Sequence, residues 1–299
     1  MDYLEFHREP PSNLTTMVVG FGGWIDAGEA ATGAIRHIVR RLSAPHLASI
    51  DPEEFFIFTQ VRPNVRLAAD GNRIIRWPRS EFYTWQPPDG RAGLLLFRGM
   101  EPNRMWRTYA KLLLDVAQQC GVQRIVSLGA LLAGIPHTRP PRVTGNSTAP
   151  EWQDLLEDWG IYRRPTYQGP TGISSVLLDA AARRSLAHLS FMGQAPHYLQ
   201  GSTNPAVRQA LLTYVARLLD IELDLSRLDE AVKAFRMQCD QAVAVDASTQ
   251  AYVQQLEQEY DATGNEEEQS LRDEDLNREQ LMQELEDFLR EEREGGSEG

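Results

Sequence analysis

Lysine is almost missing from this chain: of its 30 basic residues only Lys111 and Lys233 are lysines, and arginine does the rest. Chemistry that demands an ammonium group therefore has very few candidates. Cysteine is nearly as scarce, with Cys120 and Cys239 far apart and neither beside a second cysteine or a histidine at metal-ligand spacing. That excludes a disulfide scaffold and a structural zinc site; no metal and no cofactor is expected. The longest apolar run, 125–136, falls well short of the roughly 20 residues that span a bilayer, and the acidic start Met1-Asp2-Tyr3-Leu4-Glu5 leads into no apolar run of a secretory signal. No membrane association is expected, and the thiols read as those of a cytoplasmic protein. A basic excess is missing too. Residues 251–299 hold 17 acids and 4 arginines, which leaves 25 acids against 26 bases in residues 1–250, so no nucleic-acid partner is expected.

What is present is the composition of a folded protein, 42% hydrophobic and 24% charged, long enough at 299 residues for one large domain with an appendage. The run 15–21 (TTMVVGF) is apolar and rich in β-branched residues, ends in glycines, and precedes a helical pattern over 27–42. Further strands are expected at 54–60, 93–98, 123–131 and 188–192, with short strands or a hairpin in 73–85. Helices are expected at 103–120, 151–159, 172–185 and 205–219. Strands alternating with helices argue for an α/β core domain over 1–220, with a largely parallel sheet covered on both faces. From Leu225 to Tyr260 apolar residues recur at steps of three and four, interrupted only by Asp246 and Thr249, which predicts one long amphipathic helix over 221–264. An acidic amphipathic helix over 265–294, with Leu281, Leu285 and Phe288 on one side, should fold back on that seam, and 295–299 should be a disordered tail.

The first strand runs into Gly22-Gly23-Trp24-Ile25-Asp26-Ala27-Gly28-Glu29. Glycine amides before a helix can cradle an anion, but the third glycine of a dinucleotide fingerprint falls on Ile25, and the lysine and hydroxyl of a nucleotide loop are replaced by Glu29 and Ala30. A capping box, Asp26 with Glu29, accounts for the same residues and outweighs phosphate binding. Trp24 is a candidate for contact with a ligand or another subunit. His137, Glu101 and His197 follow three other strands, so with Asp26 they form a candidate acid/base cluster at the carboxyl edge of the sheet. Loop histidines are more often plain hydrogen-bond partners, and catalysis is the lesser reading. Thr171 and Ser174 read as helix caps rather than nucleophiles. No G-x-S-x-G or H-E-x-x-H motif occurs. The candidate ligand or partner site is thus Gly22, Gly23, Trp24, Asp26, Glu29, Glu101, His137, Thr171 and His197, with no catalytic residue assigned.

The ordered fragments VVGFGGWIDAGEAA, FRGMEP, SLGALLAGIPHTRP, GPTGISSVL and MGQAPHYL, spread over 17–219, resemble the bacterial branch of the proteasome assembly chaperone two-like family. The resemblance implies a three-layer α/β/α sandwich similar to nucleoside phosphorylases and peptide hydrolases, and homo-oligomers, with trimers expected. Relatives bind proteasome subunits, in many cases through a C-terminal hydrophobic-Tyr-any-residue ending, from which Gly295-Gly296-Ser297-Glu298-Gly299 departs. The expectation is a non-catalytic cytoplasmic oligomer that binds a protein partner, as an assembly chaperone or scaffold. The alternative is a small-molecule binder or a hydrolase/phosphorylase-like enzyme using the carboxyl-edge site.

Overall fold

The computed structural model describes residues 3–262. In chain order the elements are β1 (Leu4–Phe6), β2 (Leu14–Gly22), a 3-10 turn (Ala27–Glu29), α1 (Ala30–Arg41), β3 (His46–Ile50), β4 (Asn64–Leu67), β5 (Arg73–Arg76), β6 (Ser80–Trp85), β7 (Gly93–Met100), α2 (Trp106–Gln119), β8 (Arg124–Ala133), β9 (Val143–Ser147), α3 (Pro150–Asp158), α4 (Ile173–Ala182), β10 (Ala187–Pro196), a 3-10 turn (His197–Leu199), α5 (Pro205–Leu219), α6 (Ser226–Val243) and α7 (Ala247–Ala262).

Eight strands form one sheet in the order β1-β3-β6-β7-β2-β8-β10-β9, and β4 with β5 forms a separate two-stranded ribbon. The four central strands β7, β2, β8 and β10 are parallel, β6 and β9 on either side run antiparallel to them, and beyond β6 the strands β3 and β1 alternate in direction. The period-2 alternation of strand side chains divides two cores. Val18, Leu94, Leu96, Val126 and Leu128 face α1, α3 and α5, while Met17, Val19, Phe21, Leu95 and Phe97 face α2 and α4. Each fully buried Val, Leu or Phe on these faces contributes about 1.5–3 kcal/mol. This is the three-layer α/β/α arrangement, and it places the carboxyl ends of β7, β2, β8 and β10 along one edge.

Several expected elements are corrected. The apolar run 54–60 forms turns rather than a strand; Phe55 and Phe56 are buried as a plug against Tyr3 and Tyr109. The segment 73–85 forms short strands as expected, β5 in the ribbon and then β6. The single helix expected over 221–264 is two, α6 and α7, because Asp246 turns its carboxylate onto the amides of Ser248 and Thr249 (3.4 and 3.0 Å) and caps a new helix. The seam is covered by the body and by the pairing of α6 with α7: Leu228, Val232, Cys239, Val253 and Leu256 are all buried among the described residues. The acidic helix 265–294 and the tail 295–299 lie outside the described residues, and the seam does not need them. No described helix is long and apolar enough to cross a membrane.

Candidate functional site

β2 ends where Gly22 accepts the amide of Glu101 (2.7 Å), and Gly23 takes a φ of +128° that a side chain would strain. The chain then crosses the end of β8, with Ala130 donating its amide to the Ile25 carbonyl (2.8 Å), and enters the 3-10 turn. Asp26 does cap the following helix, but not by the expected box. Its Oδ1 accepts the amides of Ala31 (2.8 Å) and Thr32 (3.2 Å), and its Oδ2 the Thr32 hydroxyl (2.5 Å). The expected donors, Gly28 and Glu29, are displaced because Gly28 (φ +64°) and Glu29 (φ +49°) are left-handed and insert a turn between Asp26 and the first α-helical amides. Glu29 points away toward Arg36 (3.5 Å) and completes no capping box. Burial raises the Asp26 carboxyl to about 6, against the lowering pull of its three hydrogen bonds.

Glu101 serves a second helix. Its Oε1 accepts the amide of Ile173 (2.8 Å), the first residue of α4, so Glu101 takes the capping role expected of Thr171, which is exposed. Gly172 is held so close that a Cβ there would lie 2.9 Å from Glu101 Oε1 and 3.8 Å from the Trp24 ring. Gly22, Gly23, Trp24, Glu101 and the Thr171-Gly172 turn therefore gather at one place. Beside them opens a cleft of about 330 Å³ lined by Gly23, Trp24, Asp26, Glu29, Leu131 and His197, among others. It lies outside the carboxyl ends of β2 and β8, where open α/β sheets place ligands.

Of the two histidines His197 lines the same cleft as Asp26 and His137 does not, and both are engaged by the C-terminal helices. Tyr198 accepts the amide of His137 and donates its hydroxyl to Nδ1 (both 2.7 Å), which leaves Nε2 to donate to Asp240 of α6 (3.1 Å). His197 donates from Nδ1 to the Ala133 carbonyl (3.1 Å), so its neutral Nε2 accepts the Tyr252 hydroxyl of α7 (3.0 Å). The loop between them continues the clasp. Arg139 makes a two-pronged pair with Asp261 (2.8 and 2.6 Å) and reaches Glu257 (3.4 Å), Thr138 donates to Glu257 (2.5 Å), and Arg142 lies 4.1 Å from the ring centroid of Tyr260. This clasp escaped the sequence reading, although Glu257 and Asp261, four apart on one helix, gave half of the signal. Among the described residues, no group of three His, Cys, Asp or Glu side chains is placed to hold a metal ion.

Residues 20–243 match the model of the PAC2 family. A PAC2 family protein of Streptomyces avermitilis is 34% identical over 80% of this chain and 99% of its own, with a TM-score of 0.71. A proteasome-assembly chaperone homologue of Mycobacterium tuberculosis is 32% identical over 80% of this chain and 100% of its own, also at 0.71. An archaeal proteasome activator of Pyrococcus furiosus, 21% identical over 80% of this chain and 97% of its own, shares the fold at a TM-score of 0.65. No functionally curated protein matches the chain. With a family match running from the end of β2 through α6, and the same three-layer architecture in its relatives, this chain belongs to the PAC2 family.

Proposed function

We propose that this protein acts without catalysis, as a cytoplasmic homo-oligomer, trimeric by its family resemblance, that binds a protein partner in the manner of an assembly chaperone. The observation that carries the reading is the engagement of every candidate acid or base at the carboxyl edge. Asp26 and Glu101 cap helices, and His137 and His197 anchor α6 and α7. Around the cleft mouth Gly23, Trp24, Glu29 and Thr171 are exposed, and an exposed tryptophan beside polar groups suits a protein contact. The kinship with a proteasome-assembly chaperone homologue points the same way. The test is affinity capture from the native host with quantitative mass spectrometry, run in parallel on wild type and Trp24→Ala. One protein enriched by wild type and lost with the variant is expected. No difference between the two would sink this assignment of the surface.

One observation favours a second reading, a small-molecule site: the cleft itself, with a buried carboxyl raised to about 6 on its wall. Phosphate, ATP or nucleosides should then stabilise the fold by mass action, by about 2.7 kcal/mol at a hundredfold excess over Kd, and so raise the melting temperature. We expect no such rise. A rise abolished by Trp24→Ala would make the ligand reading the better one.

A further inference from the structure

The ribbon of β4 and β5 stands apart from the main sheet, and every one of its residues is exposed. Its antiparallel register pairs Val65 with Ile75 and Leu67 with Arg73, which puts Val65, Leu67 and Ile75 on one face together with Arg73. Their exposures are 60, 73 and 54%. The opposite face carries Arg66, Arg76 and Ile74. A two-stranded ribbon is at best marginally stable in water, and one showing three aliphatic side chains on a single face needs a cover. Its charge says what kind. Between Arg62 and Arg79 there are five arginines and one acid, Asp70, and among the described residues no carboxylate pairs with Arg62, Arg66, Arg73 or Arg76.

The complement is in the same chain. Residues 266–294 hold 13 acids and 4 arginines, and Leu281, Leu285 and Phe288 recur at steps of four and three, so a helical segment there offers an apolar stripe with an acidic border. The seam of α6 and α7 is already buried without that segment. The distance is short as well. α7 ends at Ala262, with Asp261 held on the loop that follows β8, and the ribbon enters β6 at Ser80, which pairs with Gly99 at the carboxyl end of β7. β6 and β8 are three strands apart in the sheet, about 14 Å, while the 19 residues from Ala262 to Leu281 reach up to about 60 Å when extended.

We propose that the β4–β5 ribbon is the docking face for the acidic segment 266–294 of its own chain, Leu281, Leu285 and Phe288 covering Val65, Leu67 and Ile75 while the acidic border meets Arg73 on the same face. The test is hydrogen exchange read by mass spectrometry on the full-length protein, compared with the triple variant Leu281→Ser, Leu285→Ser, Phe288→Ser and with Arg73→Glu. In both variants the amides of residues 64–76 should exchange about tenfold faster than in wild type, with those of α5 unchanged as the control for folding. High salt should speed ribbon exchange in wild type alone. Ribbon exchange that is the same in wild type and the triple variant overturns the proposal. Protection that survives the triple substitution and grows with protein concentration overturns it in favour of a second copy on this face.

Discussion

Asp26 sits between two opposed effects, and replacing it with asparagine separates them. The positive end of α1 and three hydrogen bonds favour the carboxylate, whereas burial between the 3-10 turn and the end of β8 favours the protonated acid and wins, carrying the carboxyl from 3.8 to about 6. Between those two values the folded protein holds a proton that the unfolded chain has released. Wild-type stability therefore falls as pH rises through that window and levels off above it. A shift of about 2 pH units corresponds to at most about 3 kcal/mol. Asparagine keeps the acceptor for the Ala31 and Thr32 amides and carries no charge, so Asp26→Asn should gain on wild type by about 1–3 kcal/mol between pH 4 and pH 7.5. Urea unfolding of both proteins across that range measures the difference directly, and the comparison cancels every other titrating group. A difference that stays flat, or that turns against asparagine as pH rises, would show that the helix end and the hydrogen bonds dominate and would refute the burial argument.

His188 has the opposite sign: burial lowers it from 6.5 to about 4, so the unfolded chain binds the extra proton and wild-type stability is lost as pH falls through that interval. His188→Gln should flatten the acid side of the urea stability profile by up to about 3 kcal/mol, whatever its cost at neutral pH. Gly28→Ala should lower the melting temperature and cost more than about 1 kcal/mol, since the φ is +64° and the new Cβ would lie 2.5 Å from that of Asn204. Arg139→Ala should leave global unfolding nearly unchanged, because water and salt screen the pair, yet it should speed amide exchange in α7 selectively. Truncation after Ala262 should leave the melting temperature of the body nearly unchanged in calorimetry, because the seam is covered without the removed residues, while the uncovered ribbon should make the shortened chain associate in light scattering.

The elements legible in the sequence are those whose local pattern is strong. β2, β7 and β8 are buried on both faces and read as unbroken apolar runs, and α5 is bracketed by an Asn204 cap with Pro205 behind it and a left-handed Asp220. β3 (HLASI) and β9 (VTGNS) escape because short flanking strands with small or polar residues resemble loops. Residues 54–60 mislead for the converse reason: Phe55 and Phe56 are apolar because they plug a core, not because they alternate along a ladder. The break between α6 and α7 was visible, since the two residues that interrupt the heptad seam, Asp246 and Thr249, are the cap and its third amide. At the edge site, Gly23 and Asp26 announced a turn and a cap. The partners of His137 and His197 lie 103 and 55 residues away, and no local pattern carries such a pairing.

The charge arithmetic of the chain hides the same long-range fact. A body balanced at 25 acids and 26 bases, followed by an acidic C-terminal stretch, reads as a neutral domain with a solvated tail. Yet the first carboxylates of that stretch, Glu257 and Asp261, are spent on Thr138 and Arg139, and Asp240 on His137, so the loop after β8 is matched by the C-terminal helices rather than by solvent. The consequence falls on the edge site. α6 and α7 are tied to the loop after β8 and the turn after β10, beside the cleft that Gly23, Trp24 and His197 line. The family match ends at residue 243, the last of α6, and α7 follows it. Trp24 therefore stands exposed at this cleft, and His197 on the same cleft is fixed in place by the Tyr252 hydroxyl of α7, a constraint that reaches the edge site from the far end of the chain.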